Sequence, residues 1–223
     1  MIVDVVFDTF CPWCFIGKRR LERACALRPG VAVDIRWRPF LLNPHMPKDG
    51  IEQSSYLIRK FGSENRVRRI YAALAEAGRS VDIDFAFERI DRAPNSINAH
   101  RLVRYADRFG LASRCVEAVY VGYFVDGLDI GNIEALTKLA VGLGIPRAEA
   151  RRFLNGEAEL DWVEEENARA HRLGINGVPA FVVDGQSAIA GAQEPTVLAR
   201  LIDAAQAQAQ AIADGVDPQT AMS

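Results

Sequence analysis

The chain is poor in the residues that usually announce a metal site. Its 223 residues include only four cysteines and three histidines, and no two histidines stand at H-x₃₋₅-H spacing. Cys11 and Cys14 form the one C-x-x-C, whereas a structural zinc site needs a second pair of ligands. Cys25 and Cys115 are isolated, so no metal is expected. No apolar run approaches the ~20 residues that span a bilayer, which excludes a membrane helix. Charge of one sign is lacking too. With 27 basic against 29 acidic residues, the net charge of -2 leaves no footprint for nucleic acid or an anionic membrane. No basic segment and cleavage site precede the first apolar run, so a cytoplasmic protein is expected. In that reducing compartment four cysteines read as one reactive pair and two core thiols, not as a disulfide framework. There is no internal repeat and no low-complexity linker. The hydrophobic fraction of 49% is ordinary for a globular protein. The length allows one domain with an insertion, or two small domains.

What is there is organised around Cys11-Pro12-Trp13-Cys14. The preceding Ile2–Asp8 has the length and β-branched content of a buried strand. Phe15–Arg28 carries Ile16, Leu21, Ala24 and Leu27 among basic residues and Glu22, a helical pattern. The junction puts Cys11 at the helix N-cap and Pro12 at the first helical position, where its missing N–H costs nothing. Free backbone N–H groups and the helix dipole favour negative charge at that point. A thiol so placed is expected to be a thiolate at neutral pH. Cys14, one turn on, is expected beneath it, positioned to attack a mixed disulfide formed at Cys11. A structural disulfide is disfavoured, because closing so short a loop constrains the unfolded chain little.

Arg28-Pro29-Gly30 stops the helix, and Val31–Trp37 alternates as a second strand. The opening is therefore β-α-β with parallel strands. From Ile51 to Leu173 the pattern is helical without a strand: 52–61, 64–77, 96–109, 113–125, 133–143, 147–154 and 160–173. Glycines, among them Gly62, Gly78 and Gly110, punctuate the ends. Pro179–Val183 and Ser187–Ala190 flank an Asp184-Gly185 hairpin turn. A last helix runs from Glu194 to about Ala213, followed by a loose tail at Asp214–Ser223. The order β-α-β, helical block, β-β-α makes a small mixed sheet interrupted by an insertion, so the two ends must meet.

They meet at Gly174-Ile175-Asn176-Gly177-Val178-Pro179. A cis Val178–Pro179 bond would offer the Val178 backbone N–H and C=O beside Cys11, where a partner can pair as an added short strand. Alternatively, Pro179 only shapes a turn. The four segments Phe7-Asp8-x-Phe10-Cys11-Pro12-Trp13-Cys14-Phe15-Ile16-Gly17-Lys18-Arg19, Trp37–Pro44, Asn98–Leu102 and Gly174–Pro179 together resemble the DsbA-like thioredoxin-fold oxidoreductases, and within them the FrnE-type branch. The resemblance covers roughly residues 2–203. It implies a thioredoxin-like domain at 1–45 and 174–223, an inserted helical domain at 46–173, and a cis Pro179 packed against the dithiol. It further implies thiol–disulfide oxidoreductase chemistry, with Cys11 attacking and Cys14 resolving. The related 2-hydroxychromene-2-carboxylate isomerases and kappa-class glutathione transferases usually carry serine at the place of Cys11, so two cysteines favour redox work.

The dithiol is then the redox centre and no separate cofactor is expected, with glutathione a compatible co-substrate. The partner is a thiol or disulfide, of a protein or a small molecule. Trp13 reads as an exposed lip able to stack on it, or else as a packed indole, and Phe10 as part of an apolar docking surface. With Pro12, Val178 and Pro179 they complete the substrate-binding set. His100 is either a groove residue over the dithiol or, more simply, a solvated or hydrogen-bonded helix histidine. Lys18, Arg19 and Arg20 read as a solvated helix face. The Ala/Gln-rich end of the last helix is a weak hint of a homodimer. Two other readings stand beside the oxidoreductase: a glutathione-dependent isomerase or transferase, and a non-catalytic binding module.

Overall fold

The strand on which everything else leans is β1 (Ile2–Phe7), hydrogen-bonded along both edges. On one side it pairs in parallel with β2 (Asp34–Pro39), in register from Ile2 opposite Asp34 to Phe7 opposite Pro39. On the other it pairs antiparallel with β5 (Ala180–Val183), which turns back into β6 (Ser187–Ala190). The order is β2-β1-β5-β6. The computed structural model that shows this arrangement describes residues 1–213, so the tail read at Asp214–Ser223 lies outside the described residues.

The alternation of β1 sends Val3, Val5 and Phe7 to one face, where all three are buried. Helix α1 (Pro12–Ala26) makes the crossover from β1 to β2 and packs against the closing helix α9 (Pro195–Ala213). Phe15, Ile16 and Leu21 of α1 join Leu198 and Ile202 of α9 in this core. The opposite face of the sheet is covered more thinly: Val6, Phe40 and Ala180 form a small cluster with Ala170 of α8 (Leu160–Arg172).

Between β2 and β5 lie α2 (Gln53–Phe61), α3 (Glu64–Arg79), α4 (Ile97–Asp107), α5 (Ala112–Phe124), α6 (Ile133–Gly142), α7 (Arg147–Asn155) and α8. The expected helices are all present, with ends displaced by at most about two residues, within ordinary uncertainty. Gly62 closes α2 in the left-handed conformation (φ 88°), which a side chain would resist. Helix α4 lies at the centre of the block and touches α5, α6, α7, α8 and β2. Its Arg101 is buried and donates to the carbonyls of Phe153, Leu154, Gly156 and Ala158 and to Asn98 Oδ1. The apolar core runs without a break from the sheet into these helices. The Phe7 ring meets Trp37 at 5.0 Å and His100 at 4.9 Å between centroids.

Three expectations needed correction. The second strand begins at Asp34, not Val31, because its parallel register starts opposite Ile2, and only Met1 remains ahead of it to bond Asp34 and Ala32. The Val31 N–H instead closes a turn onto the Arg28 carbonyl. The 51–173 segment is not free of strand: β3 (Ile51–Glu52) pairs antiparallel with β4 (Arg92–Ala93), pinning the start of α2 to the loop before α4. Gly78 does not end its helix, since α3 continues to Arg79 and Gly78 makes room for the Phe85 ring.

Candidate active site at the Cys11–Cys14 dithiol

Chain geometry at the end of β1 produces the site. The Cys11 N–H returns to the Asp8 carbonyl at 3.1 Å, a tight turn that delivers Cys11 to the N-cap of α1 in an extended conformation (φ -104°, ψ 113°). Pro12 follows at the first helical position, and the Cys11 carbonyl accepts the first intrahelical bonds, from Cys14 (3.0 Å) and Phe15 (3.4 Å). Both cysteines are free thiols. Cys11 is only 5% exposed and Cys14 2%. Burial pushes the Cys14 thiol well above its ordinary range, and its hydrogen bond with Cys11 and the charge there push the same way. Cys14 is thus a proton-holding thiol beside the Cys11 sulfur.

Across the gap the chain returns through Gly174–Pro179. The Val178–Pro179 peptide is cis, and the Cys11 thiol donates to the Val178 carbonyl at 3.7 Å. The Pro179 ring comes so near α1 that a Cβ on Gly17 would stand 2.8 Å from its Cγ. Glycine at that helix position is therefore what lets the two halves of the site close. The Val178 N–H has no acceptor among the described residues.

Trp13 is 40% exposed beside the thiol. Phe10, expected in an apolar docking surface, is buried against the rings of Tyr56 (5.2 Å) and Tyr123 (5.7 Å). It forms the inner wall of a cavity of about 330 Å³ that opens beside Cys11, Pro12 and Trp13. The other wall comes from α2, whose Gln53, Tyr56, Leu57, Lys60 and Phe61 face it at helical spacing, and from α3.

His100 matches the hydrogen-bonded helix histidine and neither the groove residue nor the solvated one. It does not line that cavity, and it is not solvated; it is buried behind the dithiol with Nε2 3.3 Å from Asp8 Oδ1, its ring edge-on to Phe7. Its Nδ1 has no partner among the described residues. Helix α4 packs toward β2 and α8, which turns His100 inward.

The residue that sequence reasoning passed over is Asp8. Its carboxylate is buried and accepts from the backbone N–H groups of Phe10 (3.2 Å, Oδ1) and Leu42 (2.8 Å, Oδ2), while its carbonyl holds both Cys11 and the Tyr120 hydroxyl (3.2 Å). One side chain thus ties the dithiol turn, the loop after β2 and α4 together. A charge at the end of an apolar strand, just before the cysteines, was the available signal, because such a charge is tolerated only if fully bonded. Tyr120, stacked on Phe15 at 5.0 Å, is buried with its phenol pushed up, first by desolvation and then by the nearby Cys14 and Cys11. The basic run is not a solvated face. Lys18 is 4% exposed and paired with Glu22 (2.5 Å) and Glu117 (2.7 Å), Arg19 with Glu117, and Arg20 with Glu194. These pairs staple α1 to α5 and to the start of α9, since a buried ammonium has to be neutralised.

A dithiol on the N-terminus of the helix after the central strand, faced by a proline-led strand from beyond a helical insertion, defines a thioredoxin-fold dithiol protein of the inserted kind. The chain belongs to the family of DSBA-like thioredoxin domains, whose model matches residues 2–203. Among solved structures it is similar to the probable DsbA oxidoreductase SCO1869 from Streptomyces coelicolor (30% identity, TM-score 0.85, 93% of this chain and 90% of that one). It shares its fold with the cytosolic disulfide reductase DsbM from Pseudomonas aeruginosa (20% identity, TM-score 0.67, 92% and 98%), which has also been solved with GSH. The same holds for 2-hydroxychromene-2-carboxylate isomerase (20% identity, TM-score 0.68, 97% and 100%).

Proposed function

We propose that this protein is a thiol–disulfide oxidoreductase whose redox centre is the Cys11–Cys14 pair, working without a separate cofactor or metal. The observation that carries the reading is the position of Cys11. It sits at the N-cap of α1, against the Val178 carbonyl, with the protonated Cys14 beneath. In the reducing direction the Cys11 thiolate attacks one sulfur of a substrate disulfide. That S–S bond breaks, one substrate thiolate leaves with the electron pair, and a mixed disulfide forms at Cys11. Cys14 then gives up its proton and attacks the Cys11 sulfur, expelling the second substrate thiolate. The substrate disulfide has gained two electrons, the protein has become the Cys11–Cys14 disulfide, and the two thiolates take up protons from solvent or from Cys14. The oxidising direction is the reverse. Trp13 and Pro12 frame the approach, and the unpaired Val178 N–H with its carbonyl holds the partner beside Cys11.

A cytoplasmic location fits this reading, in line with the cytosolic DsbM, and no helix among the described residues is long and apolar enough to cross a membrane. Glutathione is a fitting small thiol partner, as DsbM has been solved with GSH. The test is the Cys11–Cys14 reduction potential, measured by equilibration in glutathione buffers and thiol trapping with mass analysis. A reversible two-electron couple, lost in Cys14→Ser, is expected. Absence of any intramolecular disulfide across all buffers defeats the reading and brings a glutathione-dependent isomerase or transferase forward.

A further inference from the structure

The cavity beside Cys11 has a chemistry of its own. Its volume, about 330 Å³, lies at the low end for small-molecule sites, which run from roughly 300 to 1,000 Å³. Its wall is mostly ring and aliphatic surface, and two of its three phenols donate their protons inside the protein. The Tyr56 hydroxyl donates to Asn43 Oδ1, Tyr123 donates to the Arg92 carbonyl, and Tyr71 accepts from Gln53 Nε2. Besides the Tyr71 O–H, which has no acceptor among the described residues, two polar groups are left over. Gln53 is buried, and its Oε1 is the one buried side-chain polar atom of the lining without a partner among the described residues. Lys60, three residues beyond Leu57 on the same helix face, has its ammonium over the Tyr56 ring at 5.2 Å and bonded to the Tyr56 hydroxyl at 2.6 Å. It has no carboxylate partner among the described residues, although Lys18, Arg19 and Arg20 on α1 all do. A cation left unpaired at an apolar cavity that ends on a nucleophilic sulfur selects for an apolar body carrying negative charge.

We infer that the substrate taken through this cavity is a small apolar disulfide with an anionic group, its ring or alkyl body in the cavity, its charge at Lys60 and its sulfur at Cys11. This rests on the oxidoreductase reading and names the substrate class for the same site. The near-complete burial of Cys11 points the same way, since a small molecule filling the cavity reaches the sulfur without moving the walls. The chemistry is the exchange already described: the reduced protein supplies both electrons, and two substrate thiolates are released.

The test uses the full-length reduced protein in single turnover against four disulfides. These are 5,5′-dithiobis(2-nitrobenzoate), an anionic aryl disulfide; 2,2′-dithiodipyridine, a neutral aryl one; 2-hydroxyethyl disulfide; and a disulfide-linked polypeptide. Each second-order rate is divided by its rate with dithiothreitol, which removes differences between leaving groups. The anionic aryl disulfide is expected to give the highest normalised rate. Lys60 is exposed at the mouth, and the ratio to the neutral aryl disulfide falls up to about fivefold in Lys60→Met, the upper end for one exposed charge pair, and returns in Lys60→Arg. About 1 M salt, with a Debye length of about 3 Å, lowers the wild-type ratio by a similar factor. Leu57→Trp, which fills the cavity, lowers both aryl rates relative to 2-hydroxyethyl disulfide by about tenfold. An unchanged ratio in Lys60→Met overturns the inference, and so does a polypeptide rate equal to or above that of the anionic aryl disulfide. If none of the four yields a Cys11–Cys14 disulfide, it is the oxidoreductase reading that has failed.

Discussion

Replacing Gly17 by alanine separates a packing requirement of the site from ordinary helix propensity. In the middle of a helix, glycine to alanine normally stabilises by about 0.5–1 kcal/mol. At Gly17 the new methyl would lie 2.8 Å from Pro179 Cγ and 3.3 Å from Phe181 Cζ. Carbon atoms prefer about 3.5–4.0 Å, so the Pro179 ring has to retreat by roughly 0.7 Å or more. A proline ring cannot swing away as a long side chain would, and overfilling of this kind costs about 1–3 kcal/mol. The balance is a net loss of up to about 2.5 kcal/mol, a fall in Tm of a few degrees for a chain of this size. The retreat also draws Val178 away from Cys11, whose thiol–carbonyl contact is already long at 3.7 Å. Urea unfolding gives the energy, and the rate of reduction of the Cys11–Cys14 disulfide by dithiothreitol reports on the site. Gly142→Ala is the control, because nothing lies within 4 Å of the added methyl at the end of α6, and it should stabilise by up to about 0.5 kcal/mol, less than a helix-interior site. If Gly17→Ala matches that control in both assays, the close approach of Pro179 to α1 is not a constraint and the account of the glycine is wrong.

Alkaline pH should destabilise the reduced protein. Burial holds the Cys115 thiol at about 12 against an ordinary 9.0, so above pH 9 the unfolded chain sheds a proton that the folded one keeps. Stability from this group is complete below pH 9 and declines by about 1.4 kcal/mol per unit toward pH 12. Urea titrations in reductant at pH 8, 10 and 11 should show the slope, reduced but not abolished in Cys115→Ala, since Cys14 shifts the same way. Arg101→Ala strands the carbonyls that close α7 and should cost at least about 3 kcal/mol; a loss under 1 kcal/mol would mean that water replaces the guanidinium without penalty. Glu52, the N-cap of α2, accepts from Ser54 and Ser55, bonds that hold its carboxyl at about 2. The cap is therefore intact above pH 4.5 and lost as pH falls toward 2. Amide protection factors at Ser54 and Ser55, taken against the intrinsic rate at each pH, should fall over that window, and in Glu52→Ala be low at every pH.

Local signals carried most of the architecture. The Pro12 and cysteine spacing placed the N-cap, glycines and prolines marked helix ends, and Asp184-Gly185 marked a hairpin whose two residues do adopt positive φ (48° and 70°). What escaped were properties of pairs distant in the chain. The true start of β2 depends on where β1 begins, and β3 exists only because Ile51 meets Ala93. Lys18, Arg19 and Arg20 look like solvent-facing charge until Glu117 and Glu194 are seen opposite them. Asp8 and His100 are separated by 92 positions, and neither discloses its partner alone. The dithiol was legible because its chemistry is local; the cavity was not, because α2 and α3 reach it only through tertiary packing.

The contact between the Cys11 sulfur and Val178 joins residues 167 positions apart. At a synthesis rate of about 5–20 residues per second, the cysteines leave the ribosome roughly ten to thirty seconds before their wall exists. Until then β1 can pair only with β2, and the Cys11 and Cys14 thiols lack the Val178 wall that would screen them from an oxidant or a neighbouring nascent chain. The finished site shelters Cys11 and Cys14 with its last-made segment, so the unfinished chain is the stage most open to wrong disulfides.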